Sequence, residues 1–427
     1  AESTPGKGSR FRLCFRALRK PPDRSPVAAV AMLQLDLLTT LAVAAGALAI
    51  GQAQRRAVPL LARYNLPGPV LGGLTVAAAA YGWRWLTGSE LAFDATLREP
   101  LMIAFFTSIG FSASWRLLRQ GGPLVVALLA LAAGVAAGQA AVGAGVAAAM
   151  GQPPLLGVLC GTVTMAGGPS TGLAFADAFE AAGVQGAAAV AVSAGMLGIL
   201  AAGVLGPPLG TWLVERGRRR GRAPTAAAEI VRPSTPGDLP WGAAALLQAA
   251  CVLALAMGAG AWVSRALVEL GVTLPAYIGA MLVAAALRNL DDGVGASRLP
   301  HPAIAAVGEV ALSFFLALAL VTLDLGQIRE VAGPLVALVA VQIVLTGALC
   351  LWPVYAAMGR DYDAAVITGG FFGFMIGTTP VAVANMDALA SRYGPSPRAF
   401  RTAPLVGAFF IDFSNALITQ ICLNVFS

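Results

Sequence analysis

The sequence predicts an all-α polytopic membrane protein made of two inverted-topology repeats, each with five transmembrane helices and one re-entrant hairpin. Three observations predict it: scarcity of charge, a succession of long apolar runs, and landmarks that recur at a nearly fixed offset. Only 11% of the 427 residues are charged and 58% are hydrophobic, whereas a soluble domain carries about 25% charged residues. Such a chain cannot cover a water-facing surface. A soluble enzyme, a disordered chain and a disulfide scaffold are therefore excluded, and the bilayer is the solvent.

Residues 1–31 come first. They hold Lys7, Arg10, Arg12, Arg16, Arg19, Lys20 and Arg24 against Glu2 and Asp23, which is five of the net +7 charges of the chain. The stretch lacks the apolar core of a signal peptide, and Met32 stands directly before the first apolar run. The expectation is a non-native or non-functional N-terminal extension; a cytoplasmic membrane-surface anchor is the alternative.

A crossing helix needs about 20 mostly apolar residues, and twelve runs from Met32 onward qualify or nearly do. Runs 33–51, 66–83, 98–114 and 123–149 open repeat 1, residues 32–213, and 186–213 closes it. An Arg-rich linker, 214–240, follows. Repeat 2, residues 241–427, has spans at 241–267, 274–287, 302–323, 333–357 and 402–425. The two remaining runs differ from these. Run 153–176 contains Thr162, Thr164 and Gly167-Gly168-Pro169-Ser170-Thr171-Gly172; run 362–385 contains Gly369-Gly370, Gly373 and Gly377-Thr378-Thr379-Pro380. Backbone broken by Gly and Pro is tolerated at membrane depth only where protein or an aqueous cavity surrounds it, so both are expected to be re-entrant hairpins.

The repeat is read from four landmarks. Leu66-Pro67 recurs as Leu274-Pro275 at an offset of 208, Phe105-Phe106 as Phe314-Phe315 at 209, GGPLV from Gly121 as AGPLV from Ala332 at 211, and the Gly168 break as the Gly377 break at 209. Five spans per copy is an odd number, so the second copy enters the membrane upside down, the pattern of secondary transporters. With residue 32 and the C-terminus outside, 17 arginines fall on the inner side and 4 on the outer, as cytoplasmic loops require. Twelve full crossings would split the same residues 11 against 10. This placement puts the linker in the cytoplasm and the basic tail on the wrong side for an anchor. The positive balance thus records orientation, and no nucleic-acid partner is expected.

Little other chemistry is available. One histidine, His301, and five scattered cysteines with no CxxC spacing leave no material for zinc, haem or histidine-based catalysis, and no organic cofactor is expected. The cysteines read as small apolar core residues. A pyrophosphate-using intramembrane enzyme would need paired aspartate motifs for Mg²⁺, and only Asp291-Asp292 is present.

The candidate site lies at the two breaks. Half-helices expose N–H groups at one end, which attract carboxylates, and carbonyls at the other, which coordinate Na⁺. Substrate is expected at Thr164, Gly167, Gly168, Ser170, Thr171, Gly377, Thr378 and Thr379, with close packing of small residues as the alternative. For Na⁺ the candidates are Asp412, inside the last span, with Asn415, Asn385 and Glu309. A structural pairing of Asp412 and helix capping by the two amides stay open beside that role. Arg98-Glu99 reads as a local ion pair, and Arg401 faces either an acidic substrate or the headgroups.

These residues resemble the bacterial sodium/glutamate symporter family. The resemblance is carried by MLQLDLLTTLAV (32–43), YNLPGPVLGGL (64–74), LREPLMIAFFTSIGF (97–111), MAGGPSTG (165–172), DYDAAVITGG (361–370), IGTTPVAVANMDALASRYGPS (376–396) and PLVGAFFIDFSNALI (404–418), and it covers the chain from Met32 on. It implies an inner-membrane homodimer of ten-span, two-repeat subunits, surrounded by lipid and related in architecture to sodium/citrate carriers. It also implies Na⁺ as coupling ion, glutamate as substrate, and elevator-like alternating access. The sequence departs from the family at Pro169-Ser170, where the family often reads GGHG, at Phe371-Phe372, and at Glu309, where an amide is common. A carboxylate at Glu309 points to coupling of a proton as well, or against an anionic substrate. A Na⁺- or H⁺-coupled carrier of another di- or tricarboxylate is the alternative, and a channel or intramembrane enzyme the remote one.

Overall fold

The computed structural model describes residues 32–64, 66–218, 242–269, 276–294, 299–323 and 328–426. The expected extension 1–31 and most of the linker 214–240 lie outside the described residues. The chain is an all-α polytopic membrane protein with one small addition the sequence did not announce, a two-stranded parallel pair of β1 (Met32–Gln34) and β2 (Glu90–Ala92). That pair ties the entry of the first helix to the exit of the second.

Among the described residues, six helices are long and apolar enough to cross a bilayer: Leu37–Ala57, Gly122–Ala149, Ala187–Gly217, Ala243–Leu267, His301–Val321 and Gly333–Ala357. In chain order, the first half holds α1 (Leu37–Ala57), α2 (Gly68–Thr87), α3 (Arg98–Gly110), α4 (Trp115–Ala149), α5 (Pro154–Val158), α6 (Gly168–Ala181) and α7 (Ala187–Arg218). The second half holds α8 (Ala243–Glu269), α9 (Ala276–Val294), α10 (His301–Val321), α11 (Ile328–Leu349), α12 (Tyr362–Met375), α13 (Thr379–Tyr393), α14 (Pro397–Leu405) and α15 (Ile411–Phe426). Four runs expected as spans fold as α2, α3, α9 and α15. Of these, α3 has 13 residues and α15 has 16.

Local chemistry sets the boundaries. Asp36 caps α1, its carboxylate accepting the Thr39 N–H at 3.0 Å; hydrogen bonding from Thr39 holds its pKa below the ordinary carboxylate value. Within α4, Gly122 adopts φ 72 and ψ −172 just before Pro123, so the crossing part of that helix starts there. Among the described residues, three single-turn π segments, Leu159–Val163 after α5, Cys350–Val354 after α11 and Val406–Phe410 between α14 and α15, widen helices locally. Such widenings concentrate at functional places.

Two expectations need correction. Among the described residues Arg98 does not pair with Glu99: its Nη2 lies 3.2 Å from Asp177 Oδ1 and 3.5 Å from the Leu173 carbonyl, clamping α3 to α6. Neighbours on a helix point in different directions, whereas Asp177 lies across the interface. Of the cysteines, Cys160 and Cys350 are buried, but Cys251 is exposed on α8, where an apolar outer surface is what lipid demands. Leu255 and Trp262 on the same helix are each 73% exposed, which no water-facing helix would present.

Helices approach through glycine. A Cβ on Gly72 of α2 would lie 1.7 Å from the Ala47 carbonyl oxygen of α1, and one on Gly51 would lie 1.9 Å from that of Gly68. We therefore expect Gly72→Ala to cost about 1–3 kcal/mol, the usual range for overpacking. It should lower the unfolding midpoint of the detergent-purified protein. Gly82, in the same helix, has open space beside it, so Gly82→Ala should keep or raise the midpoint, Ala being favoured over Gly in helix interiors by about 1 kcal/mol. Equal midpoints for Gly72→Ala and wild type would mean that α1 and α2 do not touch there.

Candidate functional site

The two interruptions foreseen in the sequence are real breaks, and the fold brings them together. The first runs from the π segment, where Gly161 leaves helical geometry at φ −96 and ψ −123, to Gly168 at φ 69, where α6 begins. The second lies between Met375, the end of α12, and Thr379, the start of α13. A Cβ on Gly168 would sit 3.5 Å from Thr378 Cγ2 and 3.8 Å from the Gly377 carbonyl oxygen. The N-terminal ends of α6 and α13 thus meet. Each starts with a proline in its first turn, Pro169 and Pro380, where the missing N–H has no intrahelical partner to lose.

One helix carries both breaks. Along α7, Gly195 packs on Pro169, Gly198 lies against the Ile376 carbonyl and Met165, Ala202 touches Gly377, and Gly206 faces the Asn385 amide. Small residues at three- and four-residue spacing make one smooth face of this helix. A Cβ on Gly198 would lie 2.3 Å from the Ile376 oxygen, so the contact depends on glycine. The partners α12 and α13 are antiparallel: Gly369 meets Leu389, Gly370 meets Met386 and Gly373 meets Ala382.

The last helix serves both breaks too. At its π segment, the Gly407 carbonyl accepts from Thr379 Oγ1 at 2.7 Å. Further on, the fully buried Asn415 accepts from Thr162 Oγ1 at 2.8 Å and donates through Nδ2 to the Val163 carbonyl at 3.4 Å. Asp412 lies between these two contacts. Among the described residues its carboxylate has neither a hydrogen-bond donor nor a cationic partner, in contrast to the structural pairing held open from the sequence.

The remaining sequence candidates divide. Thr171 is buried beside Gly167, Thr378 is half-buried at the start of α13 without a side-chain capping bond, and Ser170 Oγ donates to the Gly167 carbonyl at 3.4 Å. Thr164 Oγ1 is occupied, donating to the Leu159 carbonyl at 2.7 Å. Asn385 gives its Nδ2 to the carbonyls of Ala202, at 3.1 Å, and Gly369, at 3.4 Å, which joins α13 to α7 and α12. Glu309 stands on an exposed face of α10. Arg401 is exposed and turns back to the Pro397 carbonyl at 3.3 Å. Thr162, Gln139, Gln342 and Thr346 are polar contacts absent from the sequence-based set of site residues. Their signal, an uncharged polar residue inside an apolar run, escapes a search for ionisable groups.

The family profile described as sodium/glutamate symporter matches residues 33–395. The sodium/glutamate symporter of Escherichia coli K12 is 35% identical over 396 residues, 92% of this chain and 98% of the relative. That of Haemophilus influenzae is 33% identical over 393 residues, 90% of this chain and 96% of the relative.

The anchoring of the last helix to the first break is testable. Thr162→Val keeps the shape of the side chain and leaves Asn415 Oδ1 without its donor, so a destabilisation of about 1–3 kcal/mol is expected for a buried acceptor left unpaired. In a double-mutant cycle with Asn415→Leu the effects should be non-additive. Strict additivity in chemical unfolding would show that the two side chains do not interact.

Proposed function

The chain belongs to the sodium/glutamate symporter family, and on that premise we propose that it is a secondary active transporter that carries glutamate into the cell together with Na⁺. The observation that bears most on this reading is the meeting of two helix N-termini at Gly168 and Thr378. Each end presents unpaired N–H groups and the positive end of a helix dipole, and converging ends of that kind hold a carboxylate without a basic side chain. Thr171 and Thr378 supply hydroxyls beside Gly167, Gly168, Ser170 and Gly377; Thr164 and Thr379 shape the pocket through their backbone bonds. Asp412 and Asn415 form the core of the Na⁺ shell, between the contacts that α15 and its π segment make with the two breaks. Asn385 and Glu309 complete the set of candidates, Asn385 by fixing α13 and Glu309 from outside the breaks.

In this reading the broken pairs are re-entrant hairpins. α6, α12 and α13 have 14, 14 and 15 residues, and at 1.5 Å per residue each reaches about 21–23 Å, short of a hydrocarbon core of about 30 Å. The halves 32–213 and 241–427 are inverted repeats, with the linker in the cytoplasm and residue 32 and the C-terminus outside. The protein sits in the bacterial inner membrane as a homodimer. The parts that hold the breaks, with α7 and α15, move as one body against the rest in an elevator-type cycle. No organic cofactor enters this scheme. A Na⁺- or H⁺-coupled carrier for another di- or tricarboxylate is the second reading, favoured by the departure at Pro169-Ser170.

Uptake of labelled glutamate into proteoliposomes should require an inward Na⁺ gradient and be inhibited by unlabelled L- and D-glutamate; competition by citrate or malate instead would transfer the assignment to the second reading. Asp412→Asn should weaken the Na⁺ dependence while the protein stays folded. An unchanged Na⁺ response would remove Asp412 from the ion shell. Thr171→Val and Thr378→Val should each raise the apparent KM for glutamate about tenfold, the loss of one or two hydrogen bonds to a charged group. Unchanged KM in both would place the substrate elsewhere.

A further inference from the structure

A second pair of amides lies behind the breaks. Gln139 on α4 and Gln342 on α11 are both completely buried. Gln139 Nε2 donates to Thr346 Oγ1 at 2.8 Å and to the Met375 carbonyl at 3.0 Å, while Gln342 Nε2 donates to the Gln139 main-chain carbonyl at 2.8 Å. Because each NH₂ group is committed to a carbonyl, the amides cannot be turned round, and each side-chain oxygen faces the other way. Among the described residues, neither Gln139 Oε1 nor Gln342 Oε1 has a hydrogen-bond partner. A buried amide oxygen left so is costly and calls for a ligand.

The surroundings select its kind. Gly161, the non-helical residue of the first break, is so close that a Cβ there would lie 2.9 Å from both Gln342 Nε2 and the Gln139 carbonyl oxygen. Met375 is the last residue of α12, at the negative end of that helix. Gln139 therefore caps the carbonyl end of α12 as Asn415 caps Val163, but the Asn415 oxygen receives the Thr162 hydroxyl and the Gln139 oxygen receives nothing. Both hydrogens of the Gln139 amide are spent, the unpartnered oxygens are acceptors, and the helix end beside Gln139 is negative. A cation satisfies such a set.

We propose that Gln139 Oε1 and Gln342 Oε1 bind a monovalent cation, Na⁺, at a site between α4 and α11 separate from the one assigned to Asp412. Neutral hard oxygens suit that ion. The nitrogens of the same two amides touch Gly161 and Met375, so occupancy at their oxygens bears on the shape of both breaks. This inference rests on the Na⁺-coupled reading above, and the test separates the two.

The thermal midpoint of the purified protein is measured against NaCl, with choline chloride keeping ionic strength constant, alongside Na⁺-dependent glutamate uptake. Gln342→Leu should raise the Na⁺ concentration for half-maximal stabilisation at least tenfold, and Gln139→Leu likewise. Gln342→Glu keeps an oxygen and adds charge, so it should lower that concentration severalfold and serves if a leucine variant does not fold. A Na⁺ response equal to wild type in every folded variant would overturn the site and leave a buried water in its place, with the symport reading intact. A wild-type protein whose stability and uptake both ignore Na⁺ would overturn the site and the coupling together.

Discussion

In hydrocarbon a backbone N–H or C=O with no partner costs several kcal/mol, and this chain breaks two helices inside its apolar body. The rest of the structure follows from keeping those freed groups covered. The carbonyl ends are closed by amides: Asn415 reaches Val163 and Gln139 reaches Met375. The N–H ends, at Gly168 and Thr378, are brought against each other. On the proposed function, a helix whose carbonyls are capped and whose N–H groups face a neighbouring N-terminus is an arrangement for receiving an anion. Packing alone would gain nothing from it.

That arrangement requires a surface on which two breaks can lie side by side, and α7 supplies it. Gly195, Gly198, Ala202 and Gly206 let Pro169, Ile376, Gly377 and Asn385 approach to backbone distance. A Cβ at Gly195, Gly198 or Gly206 would lie 2.8, 2.3 and 2.0 Å from Pro169, the Ile376 oxygen and the Asn385 amide, so larger side chains there would push the breaks off this helix. α15 and the π segment before it add the second constraint, because Gly407 and Asn415 hold opposite breaks. The extra residue of that π turn sets the phase between Gly407 and the residues that follow, including Asp412. A regular helix in its place would rotate Asn415 away from Thr162 while Gly407 stayed at Thr379.

Much of this was legible in the sequence. The two Gly- and Pro-rich interruptions stand out because their composition contradicts the apolar helices around them, and the structure puts breaks at both. Asp412 stands out because charge is rare in such a chain. The contact between the breaks was not legible, since it depends on α7, whose glycines look like those of any membrane helix. Nor was the Arg98 to Asp177 clamp, which joins residues distant in sequence and hides behind the adjacent Glu99. Gln139 and Gln342 carry no charge and sit among alanines and valines, so only their burial and their empty oxygens separate them from helix-surface amides. Composition reports where a chain departs from its solvent; it does not report which departures face each other.

The chemistry at the breaks also explains why such a site would be tied to cations. The groups gathered there are hydroxyls, amides, backbone dipoles and one carboxylate, Asp412. Two helix N-termini together offer about one unit of positive partial charge, enough to orient one carboxylate, while glutamate, net −1 with its ammonium, would bring a further carboxylate beside Asp412. On the proposed function, the balance comes from ions that arrive with the substrate. Cation and anion then stabilise each other through the broken backbone that lies between them. A fixed arginine would hold the anion in both orientations of the carrier, whereas a mobile cation leaves when the site opens to a side poor in it, and the anion is released there.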